Sequence, residues 1–172
     1  GTPALVMVEA DDAAVGGGAR ILKASNATTG VSVGWMHIQG AFMEFKVDGG
    51  AGGEFRMTAR HSNGNSSARN LSVYVNGTKV QQLRLANTGG WNRFIERTSV
   101  NLNLKPGQNV VRIQRDANDR PSADIDRLSF VRTSAATTVA PAPLTAPVPA
   151  PLTAVAPVPA PVLAPVPVPA PV

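Results

Sequence analysis

The stretch NLSVYVNGTKVQQLRL, residues 70–85, decides the fold class. Two runs in which apolar and polar residues alternate flank the pair Asn76-Gly77. Alternation with a period of two is typical of a strand with one buried face. The pair Asn-Gly readily adopts the positive φ angles of a type I′ turn. The stretch therefore predicts a β-hairpin with Asn76 and Gly77 at its tip.

Short strands separated by turn residues continue on both sides of this hairpin. In GEFRMTARHS, residues 53–62, the apolar residues Phe55, Met57 and Ala59 alternate with polar ones. We see no long amphipathic helix, and strands this closely spaced predict an all-β sandwich. The other predicted strands lie in ALVMVEA, ARILKAS, VSVGWMHI, AFMEFKVD, FIERTSVNLNL, NVVRIQRD and DIDRLSFVR.

The last forty residues have a different composition. Residues 133–172 contain no charged residue, no glycine and no aromatic residue, but hold twelve of the fifteen prolines. Because proline fixes φ and lacks an N–H donor, this segment predicts an extended polyproline II tail. We therefore divide the chain into an N-terminal leader (1–5), a β-sandwich domain (6–132) and a tail (133–172). The tail is either a passive linker or an element of assembly.

Composition excludes several classes of protein. The absence of cysteine excludes a disulfide framework and a thiolate metal site. No apolar run approaches about twenty residues without a proline, so no membrane span is predicted. The net charge of +5 comes from sixteen basic and eleven acidic residues that are spread singly. Nucleic acid binding would need a denser basic stripe, so the charge indicates either a solvated basic surface or a preference for acidic glycans.

The sequence contains four potential N-glycosylation sites, each of which is a weak signal by itself. Repeated Ala-Pro and Val-Pro pairs in the tail resemble the hydroxylated, sugar-bearing modules of plant and algal cell-wall glycoproteins. These features support an alternative hypothesis, a structural subunit of a glycoprotein fibre whose tail packs on neighbouring subunits. The four N-x-[ST] sequons begin at Asn26, Asn65, Asn70 and Asn76.

An ordered set of motifs between residues 6 and 132 resembles carbohydrate-binding modules of families 6 and 35. The resemblance implies a β-jelly-roll sandwich, a structural calcium where the first and last strands meet, and a sugar site in the loops at one end. The motifs are VEADDA, VGWMHIQGAFMEFKV, ARHSNG, VYVNGTKVQQLRLANTGGWNRF, LNLKPGQNVVRI and ADIDRLSF.

The sugar site implied by this resemblance contains two tryptophans and one acid. Trp35 and Trp91 match the stacking positions, and Asp124 stands where the family often has an asparagine that hydrogen-bonds the ligand. An exposed indole is a flat partner for the apolar face of a pyranose ring, and nearby polar groups can bind its hydroxyls. Glycines precede both tryptophans, and we expect them to leave room for the approach of a ligand.

The calcium site implied by the resemblance contains Glu9, Asp11 and Asp126. Calcium prefers six to eight oxygen ligands, which carboxylates and carbonyls supply. Glu9 and Asp11 are two residues apart in a predicted strand, so we expect both to point to the same face. The alternative is that these are solvated acids on the surface of the strand.

Catalytic motifs are not found in the sequence. It contains no G-x-S-x-G, no H-E-x-x-H and no phosphate-binding glycine loop, and its two histidines are His37 and His61. We therefore predict that the chain is not an enzyme. The predicted function is a non-catalytic, extracellular, calcium-stabilised module that binds a glycan, which could be acidic.

Overall fold

The computed structural model describes residues 5–135 and shows the predicted all-β sandwich. Two antiparallel sheets face one another, and a single turn of 3₁₀ helix, Ala10–Asp12, follows the first strand. The strands are β1 (Leu5–Glu9), β2 (Ala14–Gly16), β3 (Arg20–Lys23), β4 (Val31–Gly34), β5 (Phe42–Asp48), β6 (Gly53–Ser62), β7 (Arg69–Val75), β8 (Thr78–Leu85), β9 (Ile95–Leu104), β10 (Gln108–Gln114) and β11 (Asp124–Ala135).

The long strand β11 organises the first sheet, whose order is β3-β4-β11-β6-β9. One edge of β11 pairs with β6 along most of its length. Its other edge is shared, because β4 pairs at Ile125 and β1 pairs along residues 127–131. The first and last strands are therefore neighbours, as the resemblance implied. The second sheet has the order β2-β5-β10-β7-β8.

The alternating residues of the strands supply the core between the sheets. On β6, Phe55, Met57 and Ala59 are all fully buried, as their spacing predicts. Phe45 from β5 and Phe130 from β11 are also buried in this core. Fully burying one such side chain contributes roughly 1.5–3 kcal/mol. The core fixes which face of each strand points outward, and it therefore fixes the positions of the loops at the ends.

The hairpin predicted from residues 70–85 is confirmed. Strands β7 and β8 pair from Val75↔Thr78 onwards, and the chain reverses at Asn76-Gly77. Both tip residues have positive φ, 50° and 84°, as a type I′ turn requires.

The fold differs from the sequence prediction in several places. The strand predicted in VSVGWMHI ends at Gly34, and a turn follows it. Strand β2 was not predicted, because it has three residues and a run of glycines follows it. Strand β1 begins at Leu5, which pairs with Val131, and β11 continues to Ala135, which pairs with Gly53. The sandwich therefore extends slightly beyond residues 6–132. The predicted polyproline II tail beyond Ala135 lies outside the described residues.

Between residues 5 and 135 the protein has no helix with the length and apolar character needed to cross a membrane.

Candidate functional site

The three predicted sugar-site residues line one open cleft. Trp35 follows β4, Trp91 lies between β8 and β9, and Asp124 begins β11, yet all three border the same cavity of about 350 Å³. These segments are distant in sequence and are brought together at one end of the sandwich. The other lining residues are Leu22, Met36, His37, Asn65, Ser122 and Ala123.

Trp91 is held out at the surface. Its side chain is 48% exposed, which is unusual for a residue that normally buries most of its large apolar surface. Gly64 lies against the five-membered part of the indole ring, since a Cβ atom there would come within 2.5 Å of Trp91 Cδ1. The glycine that makes room at this site is therefore Gly64, whereas a Cβ at Gly90 would meet no atom within 4 Å.

Buried hydrogen bonds fix the loop that carries Trp91 to the end of β6. The Ser62 hydroxyl donates to the carbonyl oxygen of Trp91 at 2.8 Å. The Asn63 N–H donates to Thr88 Oγ1 at 2.9 Å, and the Thr88 N–H donates to the Asn63 carbonyl at 3.0 Å. Ser62 and Asn63 are fully buried. These bonds hold the backbone under the exposed indole in one position.

Trp35 occupies a strained position beside the cleft. Its φ is 61°, in the left-handed region that non-glycine residues rarely adopt and that costs of order 1 kcal/mol or more. The ring is 42% exposed, and the Arg20 guanidinium lies 4.2 Å from its centroid. Because Arg20 covers one face of the indole, a ligand can stack only on the other face. The His37 ring centroid lies 5.8 Å from that of Trp35.

Asp124 provides the acidic group of the cleft. Gly34 makes room for it, because a Cβ at that position would come within 2.7 Å of Asp124 Oδ1. Burial raises the pKa of Asp124 to about 6. Among residues 5–135 we find no group that donates a hydrogen bond to this carboxylate. Its oxygens are therefore available as acceptors for a ligand.

Asn65 is a cleft residue that the sequence prediction treated only as a sequon. Its Nδ2 donates to Asn63 Oδ1 and to the Ser122 carbonyl, both at 2.8 Å. Ser122 itself has a φ of 86°, so strained backbone is found on two sides of the cleft. The signal that could have identified Asn65 is its place directly after the ARHSNG motif, whose last residue supports Trp91.

The predicted calcium ligands do not form a three-carboxylate cluster. Strand β1 ends at Glu9, and Asp11 lies in the 3₁₀ turn, so the expectation that both project from one strand face is wrong. The turn forms because the Glu9 side chain accepts the N–H of Asp12, whose carboxylate in turn accepts the N–H of Glu9. Within residues 5–135, no group of three or more His, Cys, Asp or Glu side chains could together hold a metal ion.

Asp126 is fully buried and has protein partners on both oxygens. Its Oδ1 accepts the N–H of Thr28 at 2.9 Å, and its Oδ2 accepts the Thr28 hydroxyl at 2.9 Å. The Arg60 guanidinium also forms an ion pair with Oδ2. Sequence reasoning did not anticipate this ion pair, because it treated Arg60 only as one of the polar residues that alternate along the predicted strand 53–62.

Glu9 is the predicted ligand whose surroundings fit a cation. Its Oε2 is buried and has no hydrogen-bond partner among the described residues. Burial raises the pKa of Glu9, and the negative charges of Asp126, Asp11 and Asp12 raise it further, although Arg127 opposes them. A cation beside Oε2 would remove both the unsatisfied oxygen and the repulsion between the carboxylates. Asp126 could join Glu9 as a ligand only if Arg60 turned away.

The family assignment follows from the residues that build the sandwich and the cleft. The family model described as "Carbohydrate binding module (family 6)" matches residues 9–132, which include both tryptophans and Asp124. This chain belongs to carbohydrate-binding module family 6. The structural neighbours of this family 6 chain include modules of family 35.

Three similar proteins place this family 6 module in context. A family 35 module from Clostridium thermocellum is 26% identical with a TM-score of 0.67, and the match covers 74% of this chain and 97% of that one. An exo-beta-1,3-galactanase from Phanerochaete chrysosporium, solved with galactose, is 29% identical with a TM-score of 0.67, covering 74% of this chain and 29% of that one. A 1,6-alpha-glucosyltransferase from Sporosarcina globispora is 26% identical over 80% of this chain.

The chain spans 11% of the length of this glucosyltransferase. The prediction that this chain is not an enzyme therefore stays a prediction for any protein of which it forms a part.

The four predicted glycosylation sites all use their side-chain nitrogen in hydrogen bonds. Asn65 donates two such bonds, so attachment of a glycan there would break at least one of them. Asn26, Asn70 and Asn76 each donate one bond, to Asn92 O, Gln82 Oε1 and Asn109 Oδ1. Glycosylation of these three stays a prediction.

Proposed function

We propose that this family 6 module binds a glycan in the cleft lined by Trp35, Trp91 and Asp124. The observation that carries the proposal is the exposure of two indole rings on one cavity, each held by a local feature that has no role in the core. Gly64 accommodates one ring, and a strained backbone positions the other. A pyranose has an apolar face bordered by hydroxyls, and this cleft combines flat apolar surface with a polar acceptor.

Each side chain has a separate role in this proposal. Trp91 and the free face of Trp35 stack on sugar rings, while the Asp124 carboxylate accepts hydrogen bonds from hydroxyls. The cavity of about 350 Å³ is small for a ligand pocket, which favours contact with one or two sugar residues of a chain. The proposed location is extracellular, because galactans, dextrans and β-glucans, the glycans proposed for the test below, occur mainly outside cells.

The test is a titration of intrinsic tryptophan fluorescence in the full chain. The protein has two tryptophans, and both line the proposed site. We expect a saturable shift in emission with one class of neutral glycan from a panel of galactans, dextrans and β-glucans. The control is Val80→Ala, which removes an apolar side chain of β8 that is about as exposed as Trp91. This variant should titrate like the native chain. No shift with any glycan, from a chain folded by circular dichroism, would contradict the proposal.

We also propose a calcium ion at Glu9, with Asp126 as the second carboxylate. The buried, unpaired Oε2 of Glu9 supports this proposal. Because Arg60 forms an ion pair with Asp126, Arg60 must turn away before Asp126 can bind the ion. The midpoint of thermal unfolding should rise in millimolar calcium and fall after chelation, and Glu9→Gln should abolish this difference. An unfolding midpoint that does not respond to calcium or chelator would overturn this proposal and leave the cleft proposal intact.

The alternative function, a structural subunit of a glycoprotein fibre, depends on residues 133–172. All but the first three of these lie outside the described residues. This hypothesis stays a prediction.

A further inference from the structure

A second cavity, of about 440 Å³, lies on the second sheet, which does not contain β11, the strand of Asp124. It is bordered by the segment before β7, by β7 and β8, and by the loop that precedes β11. None of its residues lines the tryptophan cleft. We refer to it as the arginine pocket, and its lining residues are Ser67, Ala68, Arg69, Asn70, Gln82, Arg84 and Arg120.

We propose that the arginine pocket is a second binding site, for the carboxylate or sulfate groups of an acidic polysaccharide. Three of its seven lining residues are arginines, and none is acidic. The four ion pairs found within residues 5–135 involve other basic residues. Every acidic side chain of the protein lies between Glu9 and Asp126, inside the described part, so the terminal segments contain none that could neutralise these arginines.

The pocket is built by specific hydrogen bonds. Asn70 pairs with Arg84 across β7 and β8, so the two side chains share the outer face of the sheet. The Arg120 N–H donates to Asn70 Oδ1 at 2.8 Å, and the Asn70 N–H donates to the Arg120 carbonyl at 2.8 Å. This reciprocal pair fixes the backbone of Arg120 beside β7. Strand register therefore places Arg84 beside Asn70, and the fixed loop brings the backbone of Arg120 to the same strand.

Arg69, which lines the pocket, has one buried donor without a partner, as have Arg115, Arg127 and Arg132 elsewhere in the described residues. Its Nε is buried and has no hydrogen-bond partner within residues 5–135. An unsatisfied buried donor on a charged group is costly, and an anion that reached this side chain would satisfy it. Guanidinium groups bind carboxylate and sulfate with two parallel N–H···O bonds, so a pocket lined by three arginines suits either anion.

One acid, Asp119, contacts a lining residue of the arginine pocket. Asp119 is buried and accepts hydrogen bonds from the Ser72 hydroxyl and from the N–H of Asp116, both at 2.8 Å. Its second oxygen accepts from Gln82, and none of its described hydrogen bonds comes from an arginine of the pocket. The donors that bind Asp119 are all neutral, and Asp119 does not line the pocket.

The absence of aromatic rings among the lining residues favours an acidic glycan over nucleic acid. Proteins that bind single-stranded nucleic acid combine basic residues with aromatic side chains on which bases stack. The lining residues of the arginine pocket contain no such side chain. The glycan nature of the ligand rests on the proposed function, whereas its charge rests on the pocket alone.

The test compares two charge-matched double variants of the full chain. Arg84→Gln/Arg120→Gln removes two pocket arginines, and neither side chain makes a hydrogen bond or ion pair that the structure describes. Lys23→Gln/Arg56→Gln removes the same charge from exposed positions on the other sheet. Affinity for polygalacturonate, dextran sulfate and neutral dextran is measured by isothermal titration at two salt concentrations.

The pocket variant should lose at least about tenfold in affinity for one acidic polymer, because each guanidinium–anion contact is a charge-assisted bond. Its binding should also become less sensitive to salt. The control should change affinity by less than about twofold. Polygalacturonate and dextran sulfate distinguish a carboxylate ligand from a sulfate ligand, and dextran should show no effect of the pocket variant.

Three results would overturn this inference. The first is an equal loss in both double variants, which would indicate diffuse charge attraction. The second is no loss in either variant. The third is tighter binding of poly(dT) than of both acidic glycans. Failure of the cleft proposal gives a different result. Trp91→Ala would then leave every affinity unchanged, whereas the comparison of the two double variants would still test the arginine pocket.

Discussion

The tryptophan cleft and the carboxylate region around Asp126 were predicted from the same resemblance, and the structure treats them differently. Trp35, Trp91 and Asp124 come from three separate segments and line one cavity. Glu9, Asp11 and Asp126 do not form a joint cluster, because a turn removes Asp11 from the strand and Arg60 pairs with Asp126. The cleft depends on backbone positions that the motifs fix, whereas the carboxylate region depends on neighbouring charges that the motifs do not specify.

The largest effect is a loss of stability expected in the carboxylate region, and it tests the difference between the two regions. Arg60→Ala leaves the fully buried Asp126 without its ion-pair partner, although the bonds from Thr28 remain. Removing one member of a buried pair is strongly destabilising, and Arg60 is partly exposed, so we expect a loss of about 2–3 kcal/mol. Chemical denaturation measures this loss, with Arg56→Ala on the same strand as the control. Equal stability of the two variants would show that Asp126 does not need Arg60.

A smaller effect is expected at the support of Trp91. Gly64→Ala places a Cβ within 2.5 Å of the indole, so the ring must shift. Because the ring is half exposed, the free energy of unfolding should change by less than about 1 kcal/mol. Affinity for the glycan identified in the fluorescence panel should fall by roughly tenfold, a difference of about 1.4 kcal/mol. Unchanged affinity in Gly64→Ala would mean that the position of Trp91 is unimportant for binding.

The smallest expected effect concerns Asp124 and depends on pH. Its folded-state pKa is raised from 3.8 to about 6, so the folded protein binds the proton more tightly than the unfolded chain. The resulting stability is complete below pH 4 and is lost as the pH rises through 6. Asp124→Asn should therefore be more stable than the native protein at pH 7, by on the order of 1 kcal/mol after allowance for partial exposure, and equal to it near pH 4.

The measurement for Asp124 is a difference in unfolding midpoint between native and variant chains from pH 4 to pH 8. Taking the difference removes the contribution of His61, whose pKa is lowered by burial and whose effect on stability has the opposite sign. A difference that does not vary with pH would contradict the raised pKa of Asp124.

The sequence predicted the strands far better than it predicted the neighbours of each site residue. Period-two alternation placed β6 at its observed bounds, and Asn76-Gly77 placed the hairpin, because both are local properties of the backbone. The role of Gly64 depends on contact between loops that lie 27 positions apart in sequence, so no local pattern shows it. The pairing of Arg60 with Asp126 is equally non-local, as is the convergence of three arginines on one cavity.

The central claim is that the exposed face of Trp91 binds sugar, and isothermal titration of Trp91→Ala tests it most directly. About half of the indole surface, roughly 100 Å², is available to a ligand. Burying this area contributes about 2 kcal/mol, which corresponds to about thirtyfold in affinity. The account predicts a loss of that size in Trp91→Ala, with the unfolding midpoint unchanged and with Val80→Ala binding like the native chain. Native affinity in a folded Trp91→Ala would contradict it.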